Sequence, residues 1–276
     1  MDNIFYGGYR RFVDHSALSL LALVLALALA SCEKVIDLPL NNAARRIVIE
    51  GTLSDIIGEP ATVKISMTNN VTDENVFDGV SGATVTIQEN NNPAYALTEI
   101  STGIYQTTAF TGIPGAVYTM QVAVGGQLYR AVSTLPQPVL LEDVVIDEFV
   151  FGSDVTKTII PSYLDPAGKG NSYRFVVWVN GVQDKGIYAH NDNLSDGKEV
   201  TRPLPNSNTK IKTGDSVKVE MQCIDQPVYN YWYSLGESAT GENQSASPAN
   251  PVSNISGDVL GYFSAYAVNS KTIIVP

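Results

Sequence analysis

Two histidines and two cysteines are all that the 276 residues contain, and that scarcity excludes a great deal of chemistry. His15 lies in an N-terminal segment that has the marks of a removable leader, so His190 stands alone in the remainder. A centre with several histidine ligands cannot be built, and Ser/His or Cys/His catalysis would have to pass through that single imidazole. His190 sits in Tyr188-Ala-His-Asn-Asp-Asn193, a polar stretch that reads as an exposed loop. Positive charge is also thin: 17 Lys and Arg face 28 Asp and Glu, a formal net charge of −11. No basic cluster breaks that balance, which argues against nucleic acid as a partner, because phosphate neutralisation supplies most of such affinity. It argues equally against polybasic attachment to anionic lipid. There is no Gly-x-x-x-x-Gly-Lys-Ser/Thr loop, no Gly-x-Gly-x-x-Gly turn between strand and helix, and no Gly-x-Ser-x-Gly elbow. Nothing in the sequence calls for a cofactor, and the expectation is of a protein without catalytic activity.

What the chain does have begins near its start. Arg10 and Arg11 precede an apolar run over residues 17–30, and Leu29-Ala30-Ser31-Cys32 closes it. Positive charge, apolar run and small residues, in that order, are the layout of an export signal. The run is shorter than the roughly 18 residues a membrane-spanning helix needs. A cysteine at the junction makes the segment resemble a bacterial lipoprotein signal. On that reading residues 1–31 are the signal peptide, Cys32 is acylated and becomes the first mature residue, and residues 32–44 are a tether. The acyl chains are then the membrane attachment. Cys223 is left without a partner, so no disulfide within the chain is available. Its strand-like surroundings, Ser216 to Ile224, mark it as a small buried hydrophobe.

Beyond the tether the pattern is that of strands. Runs starting at Arg46, Ala61, Ala83, Ile104, Tyr118 and Gln127 alternate apolar with polar residues and are rich in Val, Ile, Thr and Tyr. Gly125-Gly126 links two of them as a two-residue hairpin. Residues 45–135 therefore read as an immunoglobulin-like or transthyretin-like β-sandwich. Leu135-Pro-Gln-Pro138 reads as a linker. Residues 136–276 read as a second β-sandwich-like domain, with strands over 139–151, 172–179, 216–224, 259–268 and 271–275. Val228, Tyr231, Trp232 and Leu235 fall at i, i+3, i+4 and i+7, the stripe of one short helix from Pro227 to Gly236 capped by Asp225. The expected fold is all-β with that one helix.

Two groups of residues are candidates for a site. Tyr229 and Tyr233 share a helix face at i and i+4, a spacing that suits a stacking platform for a glycan or peptide and suits core packing equally. Asp192 and Asp196 lie in Asp192-Asn-Leu-Ser-Asp-Gly197, which gathers oxygen ligands before a glycine. An EF-hand loop needs a ligand where Leu194 stands and a glutamate where Pro203 stands, so an ordinary turn is the expectation and no metal is assigned. The same carboxylates would have to carry any carboxylate-dependent hydrolysis.

Several segments together resemble the DUF4249 lipoproteins of the Bacteroidetes. They are Cys32-Glu-Lys-Val-Ile-Asp-Leu38, Ile47-Val-Ile-Glu-Gly51, Val80-Ser-Gly-Ala-Thr-Val-Thr-Ile87, Gly103-Ile-Tyr-Gln-Thr107, Leu164-Asp-Pro-Ala-Gly168, Tyr229-Asn-Tyr-Trp232 and Asn254-Ile-Ser-Gly-Asp-Val-Leu-Gly-Tyr-Phe-Ser-Ala-Tyr266. The resemblance implies a lipid-anchored outer-membrane protein working beside a TonB-dependent transporter, with no catalytic motif to carry over. It leaves open whether the anchored chain faces the periplasm or the exterior. A glycan- or peptide-binding module acting on its own is the alternative.

Overall fold

The final strand, β15 (Leu260–Ile274), organises everything else, because its two halves pair with different neighbours. The computed structural model describes residues 44–69, 77–151, 154–204, 210–240 and 250–276. The expected signal peptide, Cys32 and nearly all of the tether lie outside those residues. Residues 260–266 run parallel to β1 (Ile47–Ser54), in the register Val48 to Leu260 through Ser54 to Tyr266. Residues 267–274 run antiparallel to β14 (Ser216–Ile224). One strand thus joins the first part of the chain to the last.

From β1 the sheet continues through β2 (Ala61–Met67), β5 (Ile104–Thr107), β4 (Tyr95–Ser101), β3 (Thr84–Glu89), β6 (Val117–Val124) and β7 (Gln127–Thr134). Side chains at every second position enter the core: Ile49 and Leu53, Val63 and Ile65, Val85 and Ile87, Tyr118, Met120 and Val122. The β4–β5 ladder slips at a β-bulge between Glu99 and Ser101, and along its length the sheet turns to face itself. Across the resulting layer, a Cβ on Gly51 would lie 2.8 Å from both Met120 Sδ and Phe263. Gly125 and Gly126 take positive φ (59° and 76°), the conformation a two-residue hairpin demands.

On the other side of β15, β14 is followed by β10 (Ser172–Val179), and both β11 (Val182–Gln183) and β12 (Tyr188–Asn191) pair with β10. A separate sheet, β8 (Asp143–Phe151), β9 (Asp154–Leu164) and β13 (Glu199–Thr201), packs on this part. Contact between the layers is aromatic: the Tyr163 ring lies 4.7 Å from Tyr173 and 6.0 Å from Phe175. Pairing of β9 on its β13 side lapses at Pro161, which has no N–H to give, and resumes with a bridge from Ile159 to Leu204. The helix α1 (Gln226–Thr240) is the one helix among the described residues. Over the described residues the fold is all-β and sandwich-like with one helix, as the sequence pattern predicts.

The expected boundary at 135/136 lies inside one compact unit covering residues 43–276. Leu135 is fully buried, its N–H donates to Ala116 O at 3.0 Å, and its carbonyl accepts from Gly115 N at 2.8 Å. The proline segment is therefore fastened to the sheet. A single apolar cluster runs from Ile49 and Tyr118 through Leu141 to Val219 and Phe263. The physical reason is β15: one continuous strand, paired with β1 along its first half and with β14 along its second, carries a single core across both parts.

The free edge of residues 260–266 is closed by side chains. Asn254 accepts from Phe263 N at 2.9 Å and donates to Phe263 O at 2.7 Å, imitating a neighbouring strand. Ser253 Oγ donates to Gly261 O, and Ala265 N donates to Ser133 Oγ. Gly261 itself has φ +102°, and a Cβ there would fall 1.9 Å from Ile49 O. Gly261→Ala is accordingly expected to lower unfolding stability by about 3 kcal/mol or more. Gly126→Ala, strained but facing open space, should cost about 1 kcal/mol. Urea midpoints of the two variants check the contrast.

Candidate functional site

Helix α1 is set in place by Asp225, whose two carboxylate oxygens take different partners. Oδ1 accepts from Val228 N at 3.1 Å, capping the helix, and Oδ2 accepts from Thr134 N at 2.8 Å, tying it to the end of β7. The helix runs four residues beyond Gly236, its expected end. Val228 is fully buried, and the Tyr231 and Trp232 rings close on Tyr262 at 4.8 and 5.0 Å. The Arg174 guanidinium lies 3.6 Å from the Trp232 ring centre and donates to Gln222. Such a cation–π contact contributes about 1–2 kcal/mol when shielded from water.

The two candidate tyrosines separate on this framework. Tyr229 is buried, and its hydroxyl accepts from Asn191 Nδ2 at 3.1 Å. Tyr233 is 50% exposed and stacks on Tyr229 with ring centres 5.6 Å apart. Tyr229 is thus a supporting ring, and Tyr233 presents the accessible face. Asn191, which holds Tyr229, also lines a groove of about 330 Å³ together with Tyr163, His190, Ser195, Lys198 and Arg202. The helix face and the groove are therefore neighbours through one amide.

His190 departs from its expected place. It lies on β12, opposite Tyr173 of β10, rather than in an exposed loop. Tyr188 and His190 point inward from β12 while Ala189 and Asn191 stay half-buried, so a polar-looking segment carries a strand's alternation. Its ring packs 5.5 Å from Phe175. Burial, with the Arg202 charge adding to it, pulls the imidazole down to about 4, so it is neutral at neutral pH. Nδ1 has no hydrogen-bond partner among the described residues. Cys223 is a free, buried thiol on β14, pushed by burial up to about 12 and so unreactive as a nucleophile.

The acidic residues come together more closely than their sequence positions suggest. Asp165, immediately after β9, joins Asp192 and Asp196 in the turn after β12, with one carboxylate oxygen from each within 4.8 Å of the others. Asp192 Oδ2 accepts from Gly170 N and Asn171 N at 2.7 and 2.9 Å, and Asp196 Oδ1 accepts from Gly168 N at 2.7 Å. Asp165 Oδ1 accepts from the Tyr173 hydroxyl. Burial raises the Asp165 carboxyl above the usual carboxylate range; the Tyr173 hydroxyl opposes this, and the Asp192 charge reinforces it. Asp165 and Asp192 are 1% and 2% exposed. Both sealed from solvent, these two carboxylates do not present themselves to a substrate across an open cleft as a glycosidase pair does. Sequence reasoning found Asp192 and Asp196 and missed Asp165. The signal available was Asp165-Pro-Ala-Gly-Lys-Gly170, a turn that opens on an aspartate and closes on a glycine as Asp192 to Gly197 does.

Substitutions on the helix distinguish support from surface. Tyr229→Ala should cost about 3 kcal/mol, because it removes a buried ring and takes the hydroxyl from Asn191 Nδ2. Tyr233→Ala should cost less than about 1 kcal/mol. Equilibrium denaturation of both variants measures the difference.

Comparison with known proteins adds the family. No curated protein matches the chain. The family model described as "Domain of unknown function (DUF4249)" matches residues 33–272, a span that starts directly after Cys32 and crosses position 135 without a break. With nearly all of its sequence inside that match, the chain belongs to the DUF4249 family.

Proposed function

We propose that this protein is a non-catalytic binding protein, anchored to the outer membrane by acyl chains on Cys32 and accessory to a TonB-dependent uptake system. The observation that carries the binding part is Tyr233, an exposed aromatic ring held on a rigid, buried partner beside a polar groove. Aromatic faces so supported are efficient contact surfaces, since little side-chain freedom is lost when a ligand or partner covers them. The one imidazole and one thiol of the described residues are both buried in strands, which supports binding over covalent chemistry. The anchor rests on the sequence Leu29-Ala30-Ser31-Cys32. No described helix is long and apolar enough to cross a membrane. The transporter association rests on the resemblance to lipoproteins encoded beside such transporters.

Native material should carry acyl chains on Cys32, leaving one titratable thiol after unfolding, and Cys32→Ser should move the protein out of the membrane fraction. Pull-down of the intact protein from detergent-solubilised envelopes should recover a TonB-dependent transporter. An unmodified Cys32 would remove the anchor, and recovery without a transporter under every growth condition would remove the accessory role. A second reading, a glycan- or peptide-binding module acting alone, is favoured by the same exposed ring. It expects Tyr233→Ala to weaken glycan or peptide binding at least tenfold at unchanged melting temperature.

A further inference from the structure

We propose that Asp165, Asp192 and Asp196 form a calcium site that staples the turn after β9 to the turn after β12. Three carboxylate oxygens within 4.8 Å of one another would repel in the absence of a cation. Among the described residues none of the three makes an ion pair. The cluster alone would prove little; the decisive observation is Asp165 Oδ2. It is a buried carboxylate oxygen with no hydrogen-bond partner of good geometry among the described residues, although the Gly197 amide lies near that carboxyl, and it belongs to a member of the cluster only 1% exposed. Buried polar atoms left without partners are rare because each costs on the order of 1–3 kcal/mol, and more when charged. A cation bound there would satisfy it.

The donor set selects the ion. All three ligands are oxygens, which excludes the nitrogen and sulfur preference of zinc. Calcium–oxygen distances of about 2.3–2.6 Å allow ligand oxygens to stand up to roughly 5 Å apart around one ion, whereas magnesium, at about 2.0–2.1 Å, draws them closer. The amides of Gly168, Gly170 and Asn171 already aim the Asp196 and Asp192 carboxylates. Water would complete the six to eight ligands that calcium takes. The Asp192 turn also supplies Leu194, Ser195 and Lys198 to the groove, so the ion would fix one wall of it.

The test uses the full-length protein purified in detergent. In about 5 mM calcium, several times the dissociation constants of about 0.1–1 mM typical of extracellular modules, its melting temperature should exceed that in EDTA by about 3 °C. Magnesium at the same concentration should do markedly less. Terbium luminescence sensitised by Tyr173 and Tyr163 should saturate and be displaced by calcium. Asp165→Asn should abolish the calcium response; Asp196→Asn, at the half-buried member, guards against misfolding of that variant. In EDTA the Asp196→Asn protein should melt no lower than the wild type, while needing at least tenfold more calcium. Equal melting in calcium and EDTA, an equal response to magnesium, or an undiminished response in Asp196→Asn would each overturn the assignment.

Discussion

The parallel pairing of β1 with the first half of β15 is the constraint on which the rest of the molecule depends. It places Phe263 and Ala265, both fully buried, in the same core as Ile49 and Met120. Immediately afterwards the strand changes partner to β14, so the core continues to Val219 and Met221. The close approach of the two strands fixes the chemistry of Gly261, where any side chain would meet the Ile49 carbonyl. Asn254 and Ser253 then satisfy the strand's free edge, which would otherwise leave buried N–H and C=O groups without partners. The segment Asn254 to Tyr266 is thus accounted for by backbone geometry and edge satisfaction, with no ligand invoked.

Much of the fold was legible because its strands have one wet face. β2 and β6 alternate cleanly between core and solvent, and their bounds follow from the period. Where alternation fails, reading fails with it. β4 buries only Leu97, so nothing in its sequence distinguishes it from a loop. β12 hides a histidine inside, which composition counts as polar. β15 read as two strands because Asn269 and Ser270 interrupt the apolar pattern, yet both pair normally with β14 at Met221 and Glu220. The helix was visible from its stripe and cap; its last turn, Glu237 to Thr240, lacks the apolar residues that mark the earlier turns.

The site was legible in part for a related reason. Tyr229 and Tyr233 are identical by type and equivalent by helical spacing, and only packing against Asn191 tells supporting ring from exposed one. Asp165 and Asp192 meet because β10 holds both: it follows one turn directly and pairs with the strand that leads into the other. Long-range pairing of this kind leaves no periodic trace in the sequence. That His190 Nδ1 and Asp165 Oδ2 find no partner among the described residues is likewise a property of burial, which composition cannot reveal.

The meeting of β1 and β15 also bears on how the chain reaches its native state. Partners about two hundred residues apart make for high contact order, and such topologies fold slowly because a long loop must close before the contacts reward it. β2 covers one edge of β1, but the other has no neighbouring strand until β15, within the last seventeen residues, has emerged. Vectorial passage across a membrane, amino terminus first, would therefore deliver an open, adhesive half-sheet ahead of the strand that seals it. Delivered in that way, the chain would need either holding factors on the far side or fast arrival of its tail.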